Sequence, residues 1–227
     1  MIKICLYYHF FLLTSWFITD SIINSQKEQK TMPLFTYQNL KQSQATFSNA
    51  MDQGFVKKAN KNTNFDVFLS HSFQDKNLAI DVKNKLHDYN ISVYIDWIDD
   101  PQLDRTDINR ETAALLRTRM QQCKSLAFLD TEEGRLSNWT PWEVGFADAH
   151  KQRVFIIPVR KNEISYKNYL GQEFFSLYPF LDEEPNTRDH KKTLWINSSY
   201  QREHYDTLQH WLKHGEPFTN HNSYQNT

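Results

Sequence analysis

"VFIIPV", residues 154–159, is a continuous run of apolar residues. A strand with one face in water alternates apolar and polar side chains, whereas a strand covered on both faces does not. The lack of alternation therefore predicts a strand inside a parallel sheet, with helices packed on both of its sides.

Further strands and helices are predicted around this run. Short β-forming runs predict strands at residues 65–70, 91–98, 125–131 and 193–197. Apolar residues at helical spacing predict helices over residues 75–90, 110–123 and 138–152, and a last helix with Tyr205, Leu208, Trp211 and Leu212. The alternation predicts an α/β fold, a flavodoxin-like open parallel sheet of about five strands with helices on both faces.

The composition excludes several classes of function. The 26 basic and 27 acidic residues give a formal net charge of −1, so no overall field favours nucleic acid or an anionic membrane. With only five glycines, neither the dinucleotide fingerprint G-x-G-x-x-G nor the phosphate loop G-x-x-x-x-G-K-[ST] can be written. The two cysteines, Cys5 and Cys123, suggest neither a disulfide framework nor a zinc site.

The chain is expected to divide into five segments. They are an apolar leader (1–31), a polar linker with a helix near residues 37–51 (32–63), the core of the domain (64–160), its C-terminal completion (161–215) and a tail (216–227). Three interpretations of the leader stay open: initiation at Met32, a weak membrane anchor through residues 1–20, and a signal peptide. Its apolar run is shorter than the roughly 20 residues that span a bilayer, and the first interpretation predicts a cytoplasmic protein.

Three polar segments follow predicted strands. They are "SHS" (70–72), the loop 96–107 and "SNWTPWE" (137–143). Right-handed crossovers bring the carboxyl ends of parallel strands to one edge of a sheet, where ligands of open α/β sheets bind. The sequence therefore predicts a functional crevice formed by these three segments.

Glu143 lies in the first turn of the predicted helix 138–152. The apolar positions at helical spacing are expected to form the buried stripe of that helix: Trp139, Trp142, Phe146 and Ala149 or His150. Glu143 is then expected at the rim between core and solvent. It is either an exposed acid that suits the positive end of the helix or a carboxylate that faces the crevice, and the convergence of the polar segments favours the crevice.

These segments resemble a known family. Residues 64–159 are similar to the bacterial Toll/interleukin-receptor (TIR) domain. "FDVFLSHSFQDK" (65–76) matches the family's first box, "DWIDDPQLDRTDIN" (96–109) stands at its BB loop, and "SNWTPWE" resembles its Ser-x-Trp-x-x-x-Glu turn. One departure is visible: many members have cysteine after the first tryptophan of that turn, where this chain has Thr140.

The resemblance implies a choice between two roles. Some TIR domains cleave the N-glycosidic bond of NAD, releasing nicotinamide and leaving ADP-ribose or a cyclised isomer, and bacterial enzymes of this kind serve in defence against phage. Others act only as scaffolds by self-association. The glutamate that the enzymatic members share falls on Glu143, which favours an NAD+ nucleosidase. A weaker alternative is an enzyme similar to nucleoside deoxyribosyltransferase, which also uses a glutamate but leaves the BB-type loop unexplained.

The enzymatic interpretation assigns roles to particular residues. Glu143 is the catalytic candidate, because one carboxylate can stabilise the oxocarbenium-like ribose that forms when nicotinamide leaves. The candidates for substrate binding are Ser70, His71, Ser72, Trp97, Arg105, Ser137 and Trp142. NAD is then a substrate, and no cofactor is expected. The expected partners are a second copy of the chain, bound through TIR–TIR contacts at loop 99–109, and an effector protein that senses the product.

No metal site is expected. The aspartates of the second polar segment match no calcium-loop spacing and are expected to be solvated: Asp96, Asp99, Asp100, Asp104 and Asp107. His210 and His214 share a helix face, but no third ligand is arranged with them.

Overall fold

The computed structural model describes residues 32–33, 35–41, 62–103, 109–132, 134, 137–161, 165–166, 173–199 and 204–215. The chain divides into a unit of residues 1–32 and a unit of residues 33–227. Of the first unit only Met32 is described, at the start of a two-residue strand. The leader, most of the linker and the tail lie outside the described residues, so what is predicted for them stays a prediction.

The described strands and helices follow the predicted alternation. The strands are β1 (Met32–Pro33), β2 (Phe35–Thr36), β3 (Phe65–Ser70), β4 (Val93–Tyr94), β5 (Cys123–Asp130), β6 (Val154–Arg160), β7 (Ser165–Tyr166), β8 (Phe180–Pro185), β9 (Lys192–Asn197) and β10 (Tyr205–Thr207). The α-helices are α1 (Tyr37–Lys41), α2 (Lys76–His87), α3 (Asp96–Asp99), α4 (Arg110–Gln122), α5 (Thr140–Lys151) and α6 (Leu208–His214). Two 3₁₀ turns occupy Phe73–Asp75 and Glu173–Leu177.

Eight of the described strands form one sheet. Its order is β10–β9–β8–β6–β5–β3–β4, and β2 pairs with β6. The neighbours from β4 to β8 run parallel, with Leu69 opposite Ala127 and Ala127 opposite Phe155 in the centre. The predicted open parallel sheet is therefore confirmed, and two antiparallel strands, β9 and β10, extend it at one edge.

The pleat of β3 decides which side chains meet which helices. Val67 and Leu69 belong to a core cluster that also takes residues from α2 and α6. Successive side chains of a strand point to opposite faces, so Phe68 and Ser70 lie on the other side of the sheet. Helices α4 and α5 pack there against β3 and β5. Ser70, the last residue of β3, is therefore placed beneath the start of α5.

Helix α5 presents a different face to the sheet from the one predicted. Its buried residues are Thr140, Glu143, Val144 and Ala147, whereas the aromatic residues of the expected stripe are half-buried and Ala149 and His150 are exposed. The two sets have the same helical spacing and are offset by one residue, so periodicity alone does not separate them. Small side chains let a helix approach a sheet closely, and here they form the packed face.

Three further details differ from the prediction. The strand predicted over 91–98 ends at Tyr94, because Ile95 begins a helical turn in which its N–H donates to the Asp99 carboxylate (2.7 Å) and its carbonyl accepts from Asp99 N (2.9 Å). Tyr205 belongs to β10 and not to the last helix, and β8 was not predicted. The helix predicted near 37–51 is described only as Tyr37–Lys41. No described helix has the length and hydropathy needed to cross a membrane.

A buried ion pair joins α4 to the residue that follows α3. Arg119 Nε and Nη2 donate to the two Asp100 oxygens at 2.6 and 2.8 Å, and Tyr94 Oη donates to Asp100 Oδ2 at 2.8 Å. All three side chains are buried. Burial alone would raise the pKa of Asp100, but the hydrogen bonds from Arg119 and Tyr94 outweigh it and hold that pKa below its usual value.

We expect Asp100→Asn to lower the free energy of unfolding by about 3–5 kcal/mol, because it leaves the buried Arg119 guanidinium without the opposite charge. A carboxylate with a lowered pKa in the folded state stabilises fully above its unfolded pKa. The difference between wild type and variant should therefore shrink as the pH falls below the ordinary value of 3.8. Urea unfolding at several pH values measures both effects.

The matched control is Asp189→Asn, which removes an exposed ion pair with Lys191 at 3.7 Å. Exposed pairs contribute about 0–1 kcal/mol, so this change should be nearly silent. Equal losses in the two variants would contradict the special role of the buried pair.

Candidate active site

The centre of the site is a hydrogen bond between the end of β3 and the start of α5. Ser70 Oγ donates to Glu143 Oε2 at 2.5 Å, and both residues have 0% of their surface exposed. Glu143 therefore lies inside the molecule and not at the rim, which corrects the expected position. Its contact with Ser70 brings the predicted polar segments 70–72 and 137–143 together at the carboxyl edge of the sheet, and its functional role stays a prediction.

The first turn of α5 fixes the position of the glutamate. Glu143 N donates to the Trp139 carbonyl at 2.9 Å, and Pro141 stands at a position where a helix needs no N–H donor. Thr140 is buried, and its Oγ1 lies 3.5 Å from Ser70 Oγ. The residue that replaces the family's common cysteine thus packs directly against the serine–glutamate pair.

A second buried carboxylate lies at the same edge, in Asp75. Ser72 Oγ donates to its Oδ2 at 2.9 Å, and Thr131 Oγ1, just beyond β5, donates to the same atom at 2.7 Å. Thr131 in turn accepts from Gly134 N at 2.7 Å. This turn requires glycine, because a Cβ at Gly134 would lie 2.6 Å from the Leu129 carbonyl oxygen. Asp75 therefore ties the loops after β3 and β5 together, and Ser72 holds its carboxylate in place.

His71 and Trp97 form a pair of their own. Trp97 Nε1 donates to His71 Nε2 at 3.1 Å, and His71 Nδ1 lies 2.9 Å from the Leu69 carbonyl oxygen. An indole N–H only donates and a carbonyl only accepts, so these contacts select the neutral histidine tautomer with its hydrogen on Nδ1. Trp97 lies in the short helix α3 and not at the end of a strand, and His71 holds it there.

The other predicted binding residues are more dispersed. Trp142 lies on the half-buried aromatic face of α5, with ring centroids 5.5 Å from Trp139 and 6.0 Å from Phe146, and the Arg117 guanidinium is 5.4 Å from its ring. Ser137 is half-buried and accepts a long hydrogen bond, 3.4 Å, from Thr140 N. Arg105 lies outside the described residues.

The aspartates of the loop after β4 are not solvated where the structure describes them. Asp96, Asp99 and Asp100 are 3–4% exposed, and Asp99 receives a hydrogen bond from Lys83 Nζ at 3.0 Å. They serve the packing of the α3 turn. Asp104 and Asp107 lie outside the described residues. Among the residues that are described, no group of three histidine, cysteine or acidic side chains is placed to hold a metal ion.

The cysteine of the domain offers no nucleophile. Cys123 is a free, buried thiol at the start of β5. Burial raises its pKa to about 12, which keeps it protonated at neutral pH. Cys123 also lies at the amino end of β5, at the opposite end of that strand from Thr131.

Sequence reasoning missed Asp75, Thr131 and the pair Asp130–Arg160, in which Arg160 Nη2 donates to the buried Asp130 at 2.8 Å. The Ser-x-x-Asp spacing of Ser72 and Asp75 is a local signal that could have identified the first. Thr131 and Asp130 meet their partners only through the sheet register, so the linear sequence offers no comparable signal.

The fold and the site together define a class of protein. It is an open parallel α/β domain whose edge carries one carboxylate, held by a strand-end serine at the first turn of a helix. The sequence contains no phosphate-loop motif, and the described contacts include no hydrogen bond between Glu143 and another acidic side chain. Such a site suits the stabilisation of positive charge on a substrate.

Comparison with known proteins identifies the family to which the chain belongs. No protein-family model matches the chain. It is 41% identical, over 165 residues, to a Bacillus cereus (strain MSX-D12) protein named a probable 3′ cyclic ADP-D-ribose synthase, ThsB′, covering 73% of this chain and 83% of that protein. A Cytobacillus dafuensis protein with the provisional name cyclic ADP-D-ribose synthase TIR2 is 29% identical over 94 residues, 41% of this chain and 25% of that protein. The chain belongs to the bacterial TIR-domain proteins, as its three motifs indicate.

We expect Ser70→Ala to lower the free energy of unfolding by about 1.5–3 kcal/mol, the range for a hydrogen bond to a charged group. The buried Ser125 provides the matched control, since its Oγ donates to the neutral Asp66 carbonyl at 2.9 Å. Ser125→Ala should cost about 0.5–1.5 kcal/mol. Denaturant unfolding compares the two.

The double variant Ser70→Ala/Glu143→Gln tests whether the charge causes the difference. With the carboxylate neutralised, the cost of removing Ser70 should fall toward that of the control. An unchanged cost would show that packing, and not the hydrogen bond to a charge, holds Ser70 in place.

Proposed function

We propose that this protein is an enzyme that cleaves the N-glycosidic bond between nicotinamide and ribose in NAD, with Glu143 as the catalytic carboxylate. The observation that carries the proposal is the buried hydrogen bond from Ser70 to Glu143 at the carboxyl edge of the sheet. The names of the two relatives, both cyclic ADP-D-ribose synthases, support it. We further propose that the product is cyclic, as those names say of the relatives.

The first step would break one bond. Nicotinamide is bound to the ribose as a cation, so it leaves with the electron pair of the C–N bond as a neutral molecule and needs no general acid. Positive charge develops on the ribose carbon and its ring oxygen. The Glu143 carboxylate would stabilise this charge, and it would do so strongly because the site excludes water. Ser70 would keep the carboxylate oriented.

The second step would form a bond between the same carbon and an oxygen. In cyclisation that oxygen is a hydroxyl of the ADP-ribose itself, and in hydrolysis it is water. The attacking hydroxyl loses one proton, which Glu143 can accept before releasing it to solvent. The names of the two relatives, both cyclic ADP-D-ribose synthases, support cyclisation.

The remaining candidates would act around this centre. His71 and Trp97 would shape the edge beside Ser70, since their hydrogen bond fixes both rings. The proposed binding roles of Ser137, Trp142 and Arg105 stay predictions. Self-association through loop 99–109, an effector that senses the product, a cytoplasmic location and a role in defence against phage are likewise proposals that extend the enzymatic function.

We expect Glu143→Gln to slow nicotinamide release by about 10²–10³-fold, because it removes one preorganised electrostatic contact. The thermal midpoint should not fall, because the amide can still accept from Ser70 and the buried charge is gone. Chromatography of nicotinamide and thermal unfolding on the same preparations measure both effects.

The matched control is Glu111→Gln, the same change at an exposed first-turn glutamate of α4. It should leave the rate within about twofold. If Glu143→Gln folds normally and keeps a rate close to wild type, Glu143 is not catalytic and a TIR scaffold that works by self-association becomes the better proposal.

We expect cyclic product formed in ¹⁸O-labelled water to contain no label, because the attacking oxygen belongs to the substrate. ADP-ribose formed by hydrolysis would carry one labelled oxygen at the anomeric carbon. Mass spectrometry of the products separates the two routes. Labelled ADP-ribose as the sole product would leave NAD cleavage standing and contradict cyclisation.

A further inference from the structure

An exposed aromatic ring lies beside the catalytic edge. Phe73 follows Ser72 directly and has 71% of its surface exposed, the largest fraction among the large hydrophobic residues that the structure describes. A single exposed apolar residue is ordinary on a protein surface. Phe73 differs by its position, because it is three residues from Ser70 in a loop whose other members, His71 and Ser72, are buried.

A lysine ammonium accompanies this ring. Lys76 Nζ lies 3.8 Å from the Phe73 ring centroid and 5.2 Å from the Trp97 ring centroid, so it stands close to two aromatic rings. Within the described part of the chain, no carboxylate forms an ion pair with it. Lys76 also begins α2, where the positive end of the helix disfavours a cation. An anion bound here would give Lys76 an opposite charge and would offset the unfavourable interaction of its ammonium with the positive end of the helix.

The trio of Phe73, Lys76 and Trp97 therefore combines a stacking surface with a positive charge. Aromatic rings stack on nucleobases, and an ammonium binds phosphate as a point charge. Trp97 is kept in place by its hydrogen bond to His71, whereas the Phe73 ring is open to solvent. The arrangement suits the half of a dinucleotide that is not released.

We propose that Phe73 and Lys76 form a subsite for the ADP part of the substrate, in which Phe73 stacks on adenine and Lys76 binds the pyrophosphate. The proposal rests on the proposed function, because it places the nicotinamide ribose at Glu143 and the adenine at the exposed rim. Neither residue touches the bond that breaks, so both determine binding and not the chemical step.

The test begins with a ligand that needs no turnover. Calorimetric titration of ADP into wild type, Phe73→Leu and Lys76→Gln should show about tenfold weaker binding in each variant. This is the scale of one stacked base for Phe73 and of one hydrogen bond to a charged group for Lys76. Adenosine, which lacks phosphates, should bind less tightly to Phe73→Leu and equally to wild type and Lys76→Gln. The controls are Phe174→Leu and Lys213→Gln, which change an exposed phenylalanine and an exposed lysine elsewhere.

Kinetics with NAD provide the second measurement. Both variants should raise KM about tenfold and leave kcat within about twofold, because the ribosyl cation does not meet either side chain. A merely structural role would lower the thermal midpoint and change kcat as well. Wild-type protein that binds ADP and releases no nicotinamide would overturn the proposed function and keep the subsite. Wild type that does not bind ADP, or variants that bind it as wild type does, would overturn the subsite.

Discussion

The hydrogen bond between Ser70 and Glu143 is the constraint on which the rest of the site depends. A carboxylate with no exposed surface is costly unless a donor meets it, and Ser70 is that donor at 2.5 Å. The hydrogen bond forms only if the last residue of β3 lies next to the first turn of α5 in space. That condition requires the parallel register of β3 with β5 and the close packing of α5 on the sheet. Fold and site are thus fixed by the same geometry.

The surrounding buried carboxylates each secure a different loop of the same edge. Asp75 joins the loops after β3 and β5 through Ser72 and Thr131. Asp100, which follows α3, attaches that turn to α4 through Arg119. Each acid accepts hydrogen bonds both from nearby in sequence and from another segment, Thr131 for Asp75 and Arg119 for Asp100, so a loop that moves alone leaves a buried acid without a donor. The hydrogen bonds of these acids therefore link the loops of the edge to one another.

The sequence predicts the architecture better than it predicts the orientation of helices and loops. Continuous apolar runs such as residues 154–159 predict parallel strands, because burial on both faces leaves a signal in every residue. The prediction of which face of α5 is buried was wrong. Trp142 and Phe146 are more apolar than Thr140 and Ala147, and both sets have helical spacing, so the sequence favours the aromatic set. The burial of Asp100 depends on its hydrogen bonds with Arg119 and Tyr94, and the local sequence around Asp100 does not predict these contacts. Glu143 itself was identified from its motif and not from its environment.

The complete burial of Glu143 has a consequence for regulation. A carboxylate that acts on NAD must touch it, and in this structure no surface of Glu143 is available for contact. If Glu143 is the catalytic residue, as proposed, the conformation seen here is a latent one that must interconvert with an open conformation to admit the substrate. If the open form were about 1% of the population, the apparent affinity for NAD would be about 100-fold weaker than the intrinsic affinity. Whatever favours the open form, a second copy of the chain included, could raise activity by up to that factor without altering any catalytic residue.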